Sequence, residues 1–167
     1  MQSDYYQAQE YYMKALGISE EIGDVDGIQR DLGNLGLIYD ALADYPRALE
    51  TYQKALLIAE EQGDSMSAAR HLGNMGSLYV IQELYDKAYE VYSKSLEMNI
   101  KMHNLSGQAN AYGNLGFYYR NLKDYKKAEE HYEIALGIYR KIQDKSGMAI
   151  NYGNLANLYR TDELYDK

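Results

Sequence analysis

The chain repeats itself every 40 residues, and that period constrains its fold more than any other feature. Gly-Asn-Leu-Gly at 33–36 returns as Gly-Asn-Met-Gly at 73–76, Gly-Asn-Leu-Gly at 113–116 and Gly-Asn-Leu-Ala at 153–156. Tyr39, Tyr79, Tyr119 and Tyr159 keep the same phase, as do Tyr5, Tyr45, Tyr85, Tyr125 and Tyr165. Further columns run through Ala8, Ala48, Ala88 and Ala128, through Tyr12, Tyr52, Tyr92 and Tyr132, and through Leu16, Leu56, Leu96 and Leu136. A chain holding so many columns in register is an array of like units, each burying its apolar face on its neighbours.

Each unit reads as two helices. In 25–42 the apolar residues Ile28, Leu32, Leu35 and Tyr39 recur at the helical period. A turn follows at Ala43–Asp44, and Ala48, Tyr52, Ala55, Leu56 and Ala59 continue the pattern over 45–62. Pro46 falls where a helix start tolerates its missing N–H. Asp4, Asp44 and Asp124 are expected N-caps, and Gly23–Asp24, Gly63–Asp64, His103–Asn104 and Gln143–Asp144 mark helix ends. One proline in 167 residues agrees with long helices and short turns.

The phase also divides the chain. Residues 1–24 align with a second helix alone, 25–64, 65–104 and 105–144 are full units, and 145–167 hold a first helix and the start of the next. Neither end carries a polar cap. Helix 4–22 is expected to expose Tyr5, Tyr12 and Leu16, and helix 146–161 to expose Leu155, Leu158 and Tyr159. The sequence therefore reads as an excerpt of a longer array.

Composition removes several classes of function. Hydrophobic residues at 46% and charged residues at 25% argue against intrinsic disorder. A net charge of −8 offers no basic footprint for nucleic acid. With no cysteine there is no disulfide, thiolate metal site or thiol nucleophile. No apolar run is long enough to cross a membrane, and the first residues lack the pattern of a signal peptide. Cytoplasmic localisation is the expectation.

Leu35-Gly36-x-x-Tyr39 followed by Ala48-x-x-x-Tyr52-x-x-Ala55 resembles the tetratricopeptide repeat over essentially the whole chain. The period of 40 and the missing terminal proline resemble the long-helix subclass of kinesin light chains and of GoLoco-containing spindle-orientation adaptors. The usual first-helix tryptophan is replaced by Leu32, Leu72, Tyr112 and Tyr152. The resemblance implies an all-α, right-handed solenoid of helix-turn-helix repeats that binds a peptide or protein segment in its concave groove. It further implies that Asn34, Asn74, Asn114 and Asn154 line that groove and hydrogen-bond the ligand backbone, a task suited to an amide with donor and acceptor. The competing role for each is a structural amide bonded within the fold.

Positions four before and three and six after each asparagine share its side of the helix. They read Arg30, Arg70, Asn110 and Ile150, then Leu37, Ser77, Phe117 and Asn157, then Asp40, Val80, Arg120 and Arg160. Four arginines against one aspartate favour an acidic or carboxylate-bearing peptide, with Phe117 as an apolar anchor. The competing role for an arginine is an ion pair such as Arg30 with Asp26. Gly33, Gly73, Gly113 and Gly153 each cost helix stability, which points either to a low groove floor or to close packing of consecutive first helices. Gly36, Gly76 and Gly116 are assigned to packing.

No catalytic group, metal site or cofactor emerges. Most of the 20 tyrosines fall in core columns. His71, His103 and His131 share no metal spacing and are expected on the surface or in the groove. Gly-Asn-Leu-Gly is not a phosphate loop, since no strand precedes it and no Lys-Ser/Thr follows. The expected role is a non-enzymatic interaction scaffold. The alternatives are head-to-tail self-assembly through the terminal helices and a sensor segment of a larger regulatory protein.

Overall fold

A computed structural model describes residues 2–165, with side chains from Asp4 to Thr161. Tyr165 of the tyrosine column and the expected start of a further second helix lie outside the described side chains. Among the described residues there are eight helices and no strand: α1 (Gln2–Ile22), α2 (Val25–Ala41), α3 (Tyr45–Gln62), α4 (Ser65–Ile81), α5 (Tyr85–Lys101), α6 (Leu105–Asn121), α7 (Tyr125–Lys141) and α8 (Lys145–Tyr165).

One turn design recurs at six of the seven turns. Asp24, Asp44, Asp64, Asn104, Asp124 and Asp144 each accept a side-chain hydrogen bond from the backbone N–H three residues on. The same residue's own N–H returns to a carbonyl five residues upstream, as from Asp44 to Tyr39 at 2.8 Å and from Asn104 to Asn99 at 2.9 Å. The residue before it sits at positive φ: Gly23 and Gly63 in two turns, and Ala43, Glu83, His103, Lys123 and Gln143 in the others. Leu84 breaks the pattern, because it caps α5 with no side-chain acceptor. Asp4 is not an N-cap as expected; α1 begins earlier, and Asp4 lies in its first turn.

Packing follows the columns. Tyr52, Tyr92 and Tyr132, all buried, press their rings onto Gly36, Gly76 and Gly116 of the partner helix. A Cβ on those glycines would stand 2.5, 2.4 and 2.6 Å from ring carbon, so only glycine admits the ring. Leu35, Met75, Leu78, Leu115 and Tyr118 extend this core from layer to layer. Two terminal expectations are corrected. Leu155 and Leu158 are buried rather than exposed, because α8 lies on α7 and covers Tyr132 and Leu136. Tyr12 and Leu16 are half-buried against the first core, while Tyr5 and Tyr159 are exposed.

Every helix packs on the next, and α4 also touches α6, as α6 touches α8. No comparable contact links the odd-numbered helices among the described residues. A stack drawn together on one side curves toward that side. The fold is thus an all-α repeat solenoid whose even-numbered helices form the inner wall.

Candidate functional site

Three open hollows lie between neighbouring even-numbered helices, and they divide the expected residues among them. The first, about 560 Å³, lies between α4 and α6 and holds Arg70, Gly73 and Asn74 from α4 with Asn110 and Asn114 from α6. Its floor comes from Ser95 and Asn99 of α5 and from Asn104 in the turn. The second, about 580 Å³, lies between α2 and α4 and holds Arg30 and Arg70 beside Asp26 and Asp64. The third, about 500 Å³, lies between α6 and α8 and joins Arg120 and Arg160 with Asn121, Lys123 and Asn157. Asn34 and Asn154 are half-buried on α2 and α8 but line none of the three.

The α4–α6 hollow is built of amides. Asn99 donates to the Ser95 carbonyl at 2.9 Å and accepts from the Asn104 side chain at 2.8 Å. Ser95 Oγ donates to the Ala69 carbonyl at 2.7 Å, tying α5 to α4. These bonds fix the orientation of the floor groups. The walls differ. Asn114 makes no hydrogen bond with the described residues, and Asn74 reaches only toward the buried Tyr52 hydroxyl, whose pKa burial raises and Asn74 lowers. Asn110 accepts from the Tyr139 hydroxyl, which leaves its NH2 group open. A Cβ on Gly73 would stand 3.2 Å from Asn114 Nδ2, so this glycine keeps room beside that amide.

The arginines form two edges rather than one stripe. At the N-terminal edge Arg30 pairs with buried Asp31 at 3.3 Å, in place of the expected Asp26. Asp26 instead accepts from Gln62 at 2.7 Å. Asp64 accepts from the Ser67 N–H at 3.1 Å and from Gln29 at 3.3 Å, and hydrogen bonding from Ser67 holds its carboxyl below the usual range. Carboxylates therefore offset the cations there. At the C-terminal edge Arg120 and Arg160 form no ion pair with a described carboxylate. The Arg120 guanidinium lies 5.2 Å from the Phe117 ring centroid, and that ring also packs against the core. Phe117 is half-buried and partly committed on both sides.

His71 departs from expectation. It is 1% exposed, lying between α2 and α4 near the Tyr52 ring, and neither ring nitrogen has a partner. Burial first, and Arg70 second, lower its pKa to about 4, against a weaker pull from Asp64. The glycine column splits by layer. Gly33 abuts His71 and Gly73 abuts Asn114, whereas Gly153 faces nothing within 4 Å. The repeat phase puts Asn110 on the side of the asparagine column and Asn104 only at a helix end, and it does not single out Asn99. The visible signal was local: a cluster of carboxamides at Asn99, Asn104, Gln108, Asn110 and Asn114. Among the described residues no group of three His, Cys, Asp or Glu is placed to hold a metal, and no helix is long and apolar enough to cross a membrane.

Solved structures share this architecture. BtubC (BKLC) from P. vanneervenii superposes with a TM-score of 0.79 at 24% identity, over 96% of this chain and 67% of that one. A Rap protein complexed with Competence and Sporulation Factor gives 0.83 at 19% identity, over 99% and 46%. Kinesin light chain TPR-like repeats from Podosopora anserina give 0.70 at 15% identity, over 98% and 82%. The chain thus spans about two thirds of BtubC and under half of the Rap protein. No curated protein sequence matches. The tetratricopeptide-repeat profile matches residues 1–61, 32–101 and 107–167. With helical hairpins, tyrosine-on-glycine packing and this match in agreement, the chain belongs to the tetratricopeptide-repeat family.

Proposed function

We propose that this scaffold binds an extended peptide or protein segment along its inner wall. The observation that supports this most is the pairing of Asn74 and Asn114, which enter one hollow from successive first helices with hydrogen-bonding capacity to spare. Asn34 and Asn154 continue the same column above and below. Acidic residues of the ligand would sit at the Arg120–Arg160 edge, where the described carboxylates leave the charge unanswered. Arg30 and Arg70 contribute less, since Asp26 and Asp64 line their hollow. Phe117 would add contact through its exposed edge. No reaction is assigned. The absence of cysteine fits a cytoplasmic setting.

The test is a peptide array of acidic and neutral segments, probed at two salt concentrations. Binding lost in the Asn74→Ala, Asn114→Ala double variant, with the fold intact, supports the inner wall. Retained binding removes it. Acidic hits that ignore salt remove the arginine edge.

Head-to-tail self-association ranks behind. In the internal pairs a tyrosine ring fills the space over a glycine, but α8 carries Ala156 at that position. A second copy's α1 cannot seat Tyr12 there in the pose the internal pairs use. Sedimentation at high concentration decides it, since a concentration-dependent mass would restore this reading. A sensor role within a longer regulator draws on the shape shared with the Rap protein and its bound factor. It would use the same inner wall.

A further inference from the structure

We propose that the α4–α6 hollow is a specificity subsite for a neutral carboxamide side chain, glutamine or asparagine, of the bound segment. This rests on the inner-wall reading and names what one position of that ligand must be. The argument is one of complementarity. The floor amides Asn99 and Asn104 bond each other and the backbone, so their orientation is fixed before a ligand enters. The walls present the free amide of Asn114, the open NH2 of Asn110, the remaining capacity of Asn74 and the hydroxyl of Ser106. A carboxamide brings one acceptor and two donors, which matches such a set from both sides.

Other side chains fit worse. An apolar side chain would cover several amides and leave them unpaired, which costs their full desolvation. A lysine finds no carboxylate in the lining. A glutamate finds one cation, Arg70, which is exposed and shared with the hollow holding Asp26 and Asp64. Its carboxylate would also have no donor of its own to offer the wall oxygens. The volume of about 560 Å³ leaves room for a side chain with its flanking backbone. Gly73 sets the width, because a methyl there would press on Asn114.

The experiment uses the whole chain and three small probes: the N-acetyl, N-methylamide derivatives of glutamine, glutamate and leucine. Side-chain NH2 resonances of Asn74, Asn110 and Asn114 are followed by NMR during titration. The glutamine probe is expected to shift them saturably, about tenfold more tightly than either comparator, as one good hydrogen bond would give. Gly73→Ala, which removes no polar group and favours the helix, is expected to weaken that binding. Asn114→Leu is expected to abolish it. The proposal is overturned if the glutamate or leucine probe binds as tightly, if the glutamine probe moves none of these resonances, or if Gly73→Ala and Asn114→Leu both leave its binding unchanged. A position-scanned nonapeptide array separates the two levels. Hits that need Asn74 and Asn114 but show no glutamine or asparagine preference sink this subsite and spare the inner wall. An array with no such hits sinks both.

Discussion

His71 on α4 lies against Gly33 on α2, so closely that a Cβ on the glycine would stand 3.0 Å from ring Cε1. The imidazole is sealed between layers with both nitrogens unpartnered, and Arg70 lies beside it. Its folded pKa of about 4 is below the ordinary value of 6.5, so the folded state resists protonation. The unfolded chain binds that proton more readily, and stability therefore falls as pH drops below about 6.5. We expect a loss of about 2 kcal/mol by pH 5 and no further loss from this group below about pH 4. Asp44, Asp64 and Asp124 have carboxyls held low by hydrogen bonds, so their contributions persist to lower pH. Denaturant titrations at pH 7.5 and 5 check this. His71→Asn, the residue that α8 carries at the matching position, should flatten the difference. An equally steep fall in the variant refutes the assignment.

Glycines of the two helix types should respond with opposite sign. Gly76→Ala drives a methyl into the Tyr92 ring, which is buried and tied through its hydroxyl to Ser77 Oγ at 3.0 Å. We expect about 1–3 kcal/mol of destabilisation despite the better helix former. Gly137→Ala, at an exposed position of α7, meets nothing within 4 Å and should stabilise by up to about 1 kcal/mol. Paired melting curves decide, and stabilisation by both would contradict the tyrosine-on-glycine packing.

Asn151 and Asn114 look alike in sequence and should behave unlike each other. Asn151 is 2% exposed and donates to the Tyr132 carbonyl, so Asn151→Ala should cost about 1–3 kcal/mol. Asn114→Ala removes no protein hydrogen bond and should change stability by no more than about 0.5 kcal/mol. Thermal denaturation of the two variants, read alongside array binding, distinguishes a structural amide from a recognition amide.

The start of α5 offers a stability test independent of function. Leu84 sits at its N-cap, where the other described turns place aspartate or asparagine. Leu84→Asp should supply the missing acceptor for the Lys87 N–H and stabilise by about 1 kcal/mol. A drop in melting temperature would mean that the apolar contact of Leu84 outweighs the cap.

What the sequence determined by itself was whatever depends on neighbours in the chain. The spans of α2 and α3, the turn between them, the Asp44 and Asp124 caps and the tyrosine and alanine columns were legible because helical spacing and capping act within a few residues. The glycines at 36, 76 and 116 were legible because three copies stood in one phase. Tertiary structure decided how each copy of a column is used, because like positions face unlike residues in the next layer. Helical spacing puts Arg30 and Arg120 on one face, yet their places along the helix differ by ten residues, about 15 Å of axis, and the fold puts them at opposite edges. The pattern shows no second helix to cover Leu155 and Leu158, but α7 covers them from behind. His71 occupies the position held by Asp31, Ala111 and Asn151 elsewhere, and its burial against Gly33 and near the Tyr52 ring belongs to this layer. The amide hollow exists because α4, α5, α6 and a turn meet around one layer, a coincidence in space that a 40-residue period does not encode.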